Sequence, residues 1–308
     1  MMLKRTLYFG NPYHIRLQRK QLLFRAKDGS LEDHCPIEDL GVLVLDHPQI
    51  SLSMPLLIEL AEANVAVVLC DERHLPIAQM LAMRGHSLSQ KHHAAQIEAS
   101  PVLKKQLWKQ TVEAKIGNQA RLLSYSGRDT GPLPRYKVTV KSGDSDNREA
   151  VAAQYYWPSL WGADFVRLQQ PEKDKDGPAN ELWRSVNFLL NYGYSVLRAA
   201  VARALVGSGL LLSIGIHHHN QYDPYTLADD VMEPYRPYVD WAVLELNEAG
   251  PDGAEIGRTA KQRLLAMLAC DVEIGKVKRP LLNALSVTSA SLVRCFAGEA
   301  KQVEYPRL

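Results

Sequence analysis

The sequence predicts an α+β protein: a small amino-terminal β-rich domain with one packed helix, residues 1–95, followed by a larger all-helical domain, residues 96–308. Three observations carry that expectation. Up to about residue 90, apolar residues alternate or form short runs bounded by turn residues, the pattern of strands. From about residue 102 they recur at helical spacing. Between the two, residues 72–101 are polar, with Arg84-Gly85-His86-Ser87 and Lys91-His92-His93 followed by Pro101, and read as a hinge.

Composition narrows the class. A chain of 308 residues, 46% hydrophobic and 23% charged, suits a globular protein with a substantial core. No apolar run approaches the ~20 residues of a membrane-spanning helix. The opening MMLKRTLYFG lacks the apolar centre of a signal peptide, so a cytoplasmic protein with no membrane partner is expected. Cys35, Cys70, Cys270 and Cys295 are scattered and form no C-x-x-C pair. That argues against a disulfide framework or a zinc-thiolate site, and for a reducing compartment. A net charge of +2 does not by itself announce a nucleic-acid binder, but local stripes matter more than the sum.

Taken in order, residues 5–8 and 15–24 have the alternation of half-buried strands, separated by the Gly10-Asn11-Pro12 turn signal. Asp28-Gly29 marks a further turn. Residues 40–45 (LGVLVL) read as a short apolar strand. Residues 51–64 read as a helix capped by Ser51 or Ser53, with Leu56, Leu57, Leu60 and Ala61 on one face. Residues 65–69 (VAVVL) read as a buried strand. The result is a compact sheet with one packed helix and no catalytic constellation, hence a scaffold or a dimerisation unit. His92-His93 has little acid nearby and reads as surface or DNA-facing.

In the second part, Leu103, Leu107, Ala114 and Ile116 mark a long helix through Ser124. Lys104, Lys105, Lys109, Lys115 and Arg121 decorate it, as a face able to track phosphates or as a solvated lysine face. Residues 125–147 read as loop. Asp146 or Asn147 caps the next helix, with Glu149 in its first turn, where a carboxylate is also ordinary helix-dipole chemistry. Residues 169–180 read as a mobile loop. Residues 181–212 read as one long helix or two, whose Asn187, Asn191, Tyr192 and Tyr194 would be costly to bury unpartnered and are expected to border a site.

Residues 215–240, GIHHHNQYDPYTLADDVMEPYRPYVD, are the most informative stretch. Three histidines, His217 to His219, precede a helix for which Asp223 is the expected N-cap and Pro224 the first position. Asp230 and Glu233 share one face of it, extended by Thr226, while Leu227 and Val231 point to a core. Pro234 should bend or stop the helix. Imidazole and carboxylate together suit a hard-to-borderline divalent ion; a solvated histidine loop beside an acidic helix face is the other reading. Neighbouring side chains in an extended loop point to opposite sides, so one histidine of the three should face the carboxylates. Residues 241–249 continue as helix, 250–257 turn, and 259–268 and 281–296 read as amphipathic helices. Between these two lies the basic patch Lys276, Lys278 and Arg279, and the last dozen residues read as a tail.

Three segments, GDSDNREAVAAQYYW (143–157), NFLLNYGYSVLRA (187–199) and the histidine stretch at 215–240, together resemble the integrase-nuclease subunit of the CRISPR adaptation complex, most of all its type II branch. The resemblance covers most of residues 143–240. It implies a metal centre of Glu149, His218 and Glu233, supported by Asp230 and bordered by Asn191, holding Mg2+ or Mn2+. It implies a small amino-terminal domain that forms a homodimer and a helical catalytic domain. The implied partners are double-stranded and branched DNA, as protospacer and repeat array, and a small ferredoxin-like adaptation protein that bridges two dimers. Lys104, Lys105, Lys109, Lys276, Lys278 and Arg279 are then candidate DNA contacts. The implied reaction is transesterification by a DNA 3′-OH, with nuclease activity on branched DNA. The competing readings are a small-molecule phosphoesterase and a non-catalytic DNA-binding scaffold with a structural metal.

Overall fold

A computed structural model describes residues 4–83, 85–168, 181–249 and 257–308. Its amino-terminal part is two four-stranded sheets, where the sequence suggested a single one. Strands β1 (Arg5–Phe9), β5 (Leu40–Leu45), β7 (Ala66–Cys70) and β8 (Pro76–Met80) form one sheet in that spatial order. The first three are parallel and β8 closes the edge antiparallel. Strands β2 (Tyr13–Gln18), β3 (Gln21–Ala26), β4 (Glu32–Pro36) and β6 (Ser51–Leu52) form the other. The run expected as one strand at 15–24 is a hairpin. Its turn is Arg19-Lys20, both at positive φ (49° and 61°), the twist a two-residue hairpin needs. Without glycine or asparagine there, alternation alone does not show the reversal.

All six residues of β5 are buried because both faces are covered. Leu43, Leu45 and Val67 face the second sheet and helix α1 (Met54–Glu62). Val42, Val44, Ala66 and Val68 join the core of the helical part, so the helices use the sheet as a floor.

The expected hinge is structured. It holds β8 and helix α2 (Ser89–Ile97); Arg84 lies outside the described residues. Buried Gln96 donates through Nε2 to the carbonyls of Leu211 (2.9 Å) and Ile214 (2.8 Å) and accepts from Leu211 N–H (2.9 Å). His92 Nδ1 lies 2.8 Å from the Ser208 carbonyl, so this half-buried histidine ties α2 to the chain just after the Glu181–Gly207 helix.

Helix α3 (Pro101–Tyr125), capped by Ser100, buries Leu107, Trp108, Val112 and Ile116. It is followed by α4 (Leu133–Val138) within the expected loop, α5 (Arg148–Trp161), the single long α6 (Glu181–Gly207), α7 (Thr226–Met232), α8 (Arg236–Glu248), α9 (Arg258–Ala266) and α10 (Leu281–Phe296). Helix α7 ends where expected: Glu233–Tyr235 is a single tighter turn at Pro234 before α8. Gly193 of α6 packs on α8 so closely that a Cβ there would lie 2.5 Å from Val239 Cγ1. The segment expected as a mobile loop (169–180) and all but Gly257 of the expected turn (250–257) lie outside the described residues.

Two expectations for the carboxyl-terminal part are corrected. It is not all-helical: DVEIGKVKRP forms a hairpin, β9 (Asp271–Ile274) and β10 (Val277–Pro280), carrying Lys276, Lys278 and Arg279. The last residues are not a free tail. Val303 N–H donates to Gln110 Oε1, Arg307 N–H to the Glu273 carbonyl, and Leu308 N–H to Asn118 Oδ1, laying the chain along α3. Backbone donors satisfied by a distant helix leave no local pattern to read.

Candidate active site

Glu149 is set by a cap that local pattern does not reveal. The carboxylate of Asp144, not Asp146 or Asn147, accepts from the amides of Arg148 (2.8 Å) and Glu149 (3.1 Å). Asp146 instead pairs with Arg148 Nε at 2.9 Å, and Asn147 adopts a left-handed φ of 54° to make the turn. Glu149 thus stands at the start of α5, facing the middle of α3.

There it meets Lys115. The Lys115 ammonium lies 2.6 Å from Glu149 Oε1 and 2.5 Å from Glu233 Oε2, with its side chain only 13% exposed. Expected on a basic surface, it is a buried bridge between two carboxylates. Burial alone would lower its pKa, but Glu233 and Glu149 outweigh that and raise it. Glu233 is buried too, which would raise its pKa, but Arg236 and Lys115 hold it below the usual carboxylate range. Arg236 Nε binds Glu233 Oε1 at 2.8 Å. Among the described residues, Glu233 Oε2 receives no well-directed hydrogen bond and meets the Lys115 ammonium charge.

The histidine loop is built on Asp230. This fully buried carboxylate accepts from the amides of Ile216 (2.5 Å), His217 (2.9 Å) and His218 (3.2 Å), and from the His218 ring at Nδ1 (2.6 Å). Gly215 makes the approach possible: a Cβ there would sit 2.6 Å from the His218 carbonyl oxygen and 2.8 Å from Asp230 Oδ2. The three histidines separate. His217 stacks flat on Trp108, centroids 4.3 Å apart, and burial lowers its pKa. His219 is exposed. His218 is oriented through Nδ1, which leaves Nε2 without a hydrogen-bond partner among the described residues. The Asp230 hydrogen bond raises its pKa against the effect of burial.

His218, Lys115 and Glu233 open onto a cleft of about 650 Å³, also lined by Arg167, Arg198 and Asp240. Asn191 and Tyr194 border it as expected. Asn191 Oδ1 accepts from Arg167 Nη2 (2.5 Å), and Tyr194 OH binds Asp240. Asn187 instead holds the backbone of Val166 and Leu168, and Tyr192 faces Lys261 on the opposite side of α6. Asp223 is not the expected N-cap: it accepts from Tyr225 N–H (2.8 Å) and from Arg198 (2.7 Å), and the helix starts at Thr226. Arg236, three residues after Glu233, was readable as an ion-pair spacing. Arg167 and Arg198 reach the cleft only through the fold.

The other candidates lie elsewhere. Lys105 is exposed, Lys104 half-buried, and Lys109 sits 3.6 Å from Glu113. None of them, nor Lys276, Lys278 or Arg279 on the hairpin, lines the cleft.

Among the described residues, no three His, Cys, Asp or Glu side chains are gathered at metal-binding distance; Lys115 stands between two of the carboxylates. The donors nevertheless suit a divalent ion: two carboxylates, one with an oxygen lacking a hydrogen bond, and an imidazole whose other nitrogen is fixed by a carboxylate.

The model of the family described as CRISPR associated protein Cas1 matches residues 7–252. The chain is 35% identical over 308 residues to the CRISPR-associated endonuclease Cas1 of Neisseria meningitidis serogroup C, spanning 99% of this chain and 96% of that one. Its fold is similar to that of a casposase bound to integration product (TM-score 0.77, 20% identity, 98% of this chain and 92% of that one). It is also similar to a Cas1 protein from Thermotoga maritima (TM-score 0.68, 15% identity, 96% and 98%). Family model and full-length relative agree: the chain belongs to the Cas1 family of CRISPR-associated endonucleases.

Proposed function

We propose that Glu149, His218 and Glu233 hold Mg2+ or Mn2+ and that this site joins a protospacer 3′-OH to a phosphodiester of the repeat array, with hydrolysis of branched DNA as the same chemistry using water. The observation that carries the reading is the His218–Asp230 pair. Asp230 spends its oxygens on three loop amides and on His218 Nδ1, which leaves Nε2 without a hydrogen bond among the described residues, on a ring that lines the same cleft as Glu233. A bound divalent ion would polarise the phosphoryl oxygen and offset charge on the leaving oxygen.

The chain's own residues do the rest. Glu149 and Glu233 supply anionic oxygens from two different helical segments, α5 and the turn after α7. Arg236 fixes the Glu233 rotamer through Oε1 and leaves Oε2 directed at the centre. Arg167 is bound to the neutral amides of Asn187 and Asn191, lines the cleft with Asp240, and would meet a phosphodiester there. Transesterification forms one P–O bond as it breaks another, so the site needs no nucleotide hydrolysis.

Residues 1–95 then serve as a homodimerising unit and 96–308 as the catalytic domain. The partners are double-stranded and branched DNA and a small ferredoxin-like protein bridging two dimers, in a complex of the type II branch. The family membership and the likeness to a casposase bound to integration product support this assignment. The test is incubation of the protein with a branched repeat-DNA substrate and Mn2+, beside an EDTA control. Strand transfer that needs Mn2+ is expected; transfer unaffected by EDTA contradicts the reading.

A further inference from the structure

One ammonium, that of Lys115, serves two glutamates, at 2.6 and 2.5 Å. A divalent ion and this ammonium cannot both lie between those oxygens. Charge points the same way. The two glutamates are balanced by Lys115 and Arg236, so the set is already neutral and offers a dication little net attraction. Departure of Lys115 leaves one net negative charge. With Lys115 kept in the cleft beside Gln119, the entering divalent ion leaves two net positive charges, which DNA phosphodiesters offset.

The fold provides a second seat. Gln119 lies four residues on from Lys115, on the same face of α3, and lines the same cleft. It is 3% exposed, yet its Oε1 has no hydrogen-bond partner among the described residues. A buried acceptor left unpaired is costly, and buried polar atoms are rarely left so. An ammonium swung out of the glutamate pair toward the cleft would satisfy it and face an incoming phosphate.

We propose that Lys115 is an exchangeable cation: it occupies the metal's place in the DNA-free protein, moves to the Gln119 side when the ion enters, and there meets a DNA phosphodiester, so that metal and DNA binding are coupled through it. This rests on the metal-centre reading above. By linkage, DNA must then raise metal affinity by the factor by which metal raises DNA affinity.

The probes are Mn2+, followed by its electron paramagnetic resonance, and a branched duplex with dideoxy 3′ ends that cannot be transferred. In the wild type, the duplex should raise Mn2+ affinity about tenfold. Lys115→Met should bind Mn2+ about tenfold tighter than wild type without DNA, and gain little when DNA is added. Gln119→Leu should bind Mn2+ more weakly, because the displaced ammonium loses its acceptor. A merely structural lysine would weaken Mn2+ binding when removed, and that result, or an unchanged affinity, overturns the proposal. Should Lys115→Met fail to fold, the wild type still decides. Acylation of Lys115, read by mass spectrometry, should rise on adding Mn2+ and fall again with the duplex; reactivity indifferent to Mn2+ overturns the proposal. Glu149→Gln is the control for the underlying site. If it binds Mn2+ as wild type does, the metal-centre reading has failed; if it loses Mn2+ while Lys115→Met gains nothing, only the exchange has failed.

Discussion

Two clusters in this molecule use the same three ingredients, a buried carboxylate, a buried lysine and a histidine, to opposite ends. In the first, Asp46 accepts from Tyr8 OH (2.5 Å), His74 Nδ1 (2.8 Å) and Lys261 Nζ (2.9 Å), tying the amino-terminal sheet to α9. Asp46 is 1% exposed and Lys261 4%, both oxygens are used, and no member lines the cleft. In the second, Lys115 is shared between two glutamates, Glu233 Oε2 and His218 Nε2 have no directed hydrogen bond among the described residues, and the cleft lies alongside. Residue type does not separate a knot from a site. Unused bonding capacity beside open space does.

The largest expected contrast comes from truncating one member of each. Glu149→Ala should lower strand transfer roughly a thousandfold or more, several kcal/mol of transition-state stabilisation, with thermal stability and metal-free DNA affinity near wild type. Asp46→Ala leaves Lys261 buried without its anion and should cost about 3–5 kcal/mol of stability, while transfer per folded molecule persists. Single-turnover transfer rates and urea midpoints, measured on both variants, make the comparison. Equal loss of activity from both would erase the distinction.

Asp230→Asn sharpens the account within the site. It keeps the shape but weakens the grip on the three loop amides and on His218 Nδ1. Mn2+ affinity should fall about 10–100-fold, as for other carboxylates that orient a ligating histidine. His217→Ala and His219→Ala should change Mn2+ affinity far less. Comparable losses from all three would show the loop acting as a unit.

Much of this was legible in the chain. The α+β class, the helix starting near Arg148, the stop at Pro234 and the shared face of Asp230 and Glu233 all follow from local pattern. Lys115 was not, because its spacing along α3 is that of any lysine on a helix surface. Only the fold brings Glu149 and Glu233 against it from positions 34 residues later and beyond. Asp144 was missed as a cap because two positive-φ residues, Gly143 and Asp144, return its side chain to the helix end. The hairpin at 271–280 has only four residues per strand, too few for alternation to stand out between two helices.

Asp240 is an intermediate case: buried, held by Tyr156 OH (2.7 Å) and Tyr194 OH, yet lining the cleft. Burial pushes its pKa up to about 6 despite these donors. The folded state therefore binds a proton that the unfolded state has released, and this contribution to stability is lost as pH rises from about 4 to about 6. Relative to Asp240→Asn, the wild type should lose on the order of 2 kcal/mol across that window in urea titrations. A flat difference would contradict the assignment.

The smallest effect is expected far from both clusters. Charge reversal of Lys276 and Lys278 on the exposed hairpin should reduce the salt slope of DNA binding by about one unit for each phosphate no longer neutralised, with little change in transfer at saturating DNA. An unchanged slope removes the hairpin from the DNA path.

Anomalous diffraction from crystals soaked in Mn2+ locates the ion and Lys115 together. A peak is expected near His218 Nε2 and oxygens of Glu149 and Glu233, with the Lys115 ammonium withdrawn from between the two glutamates. A peak at Asp223 and Asp229, or none in the cleft with Lys115 still bridging, would contradict the account.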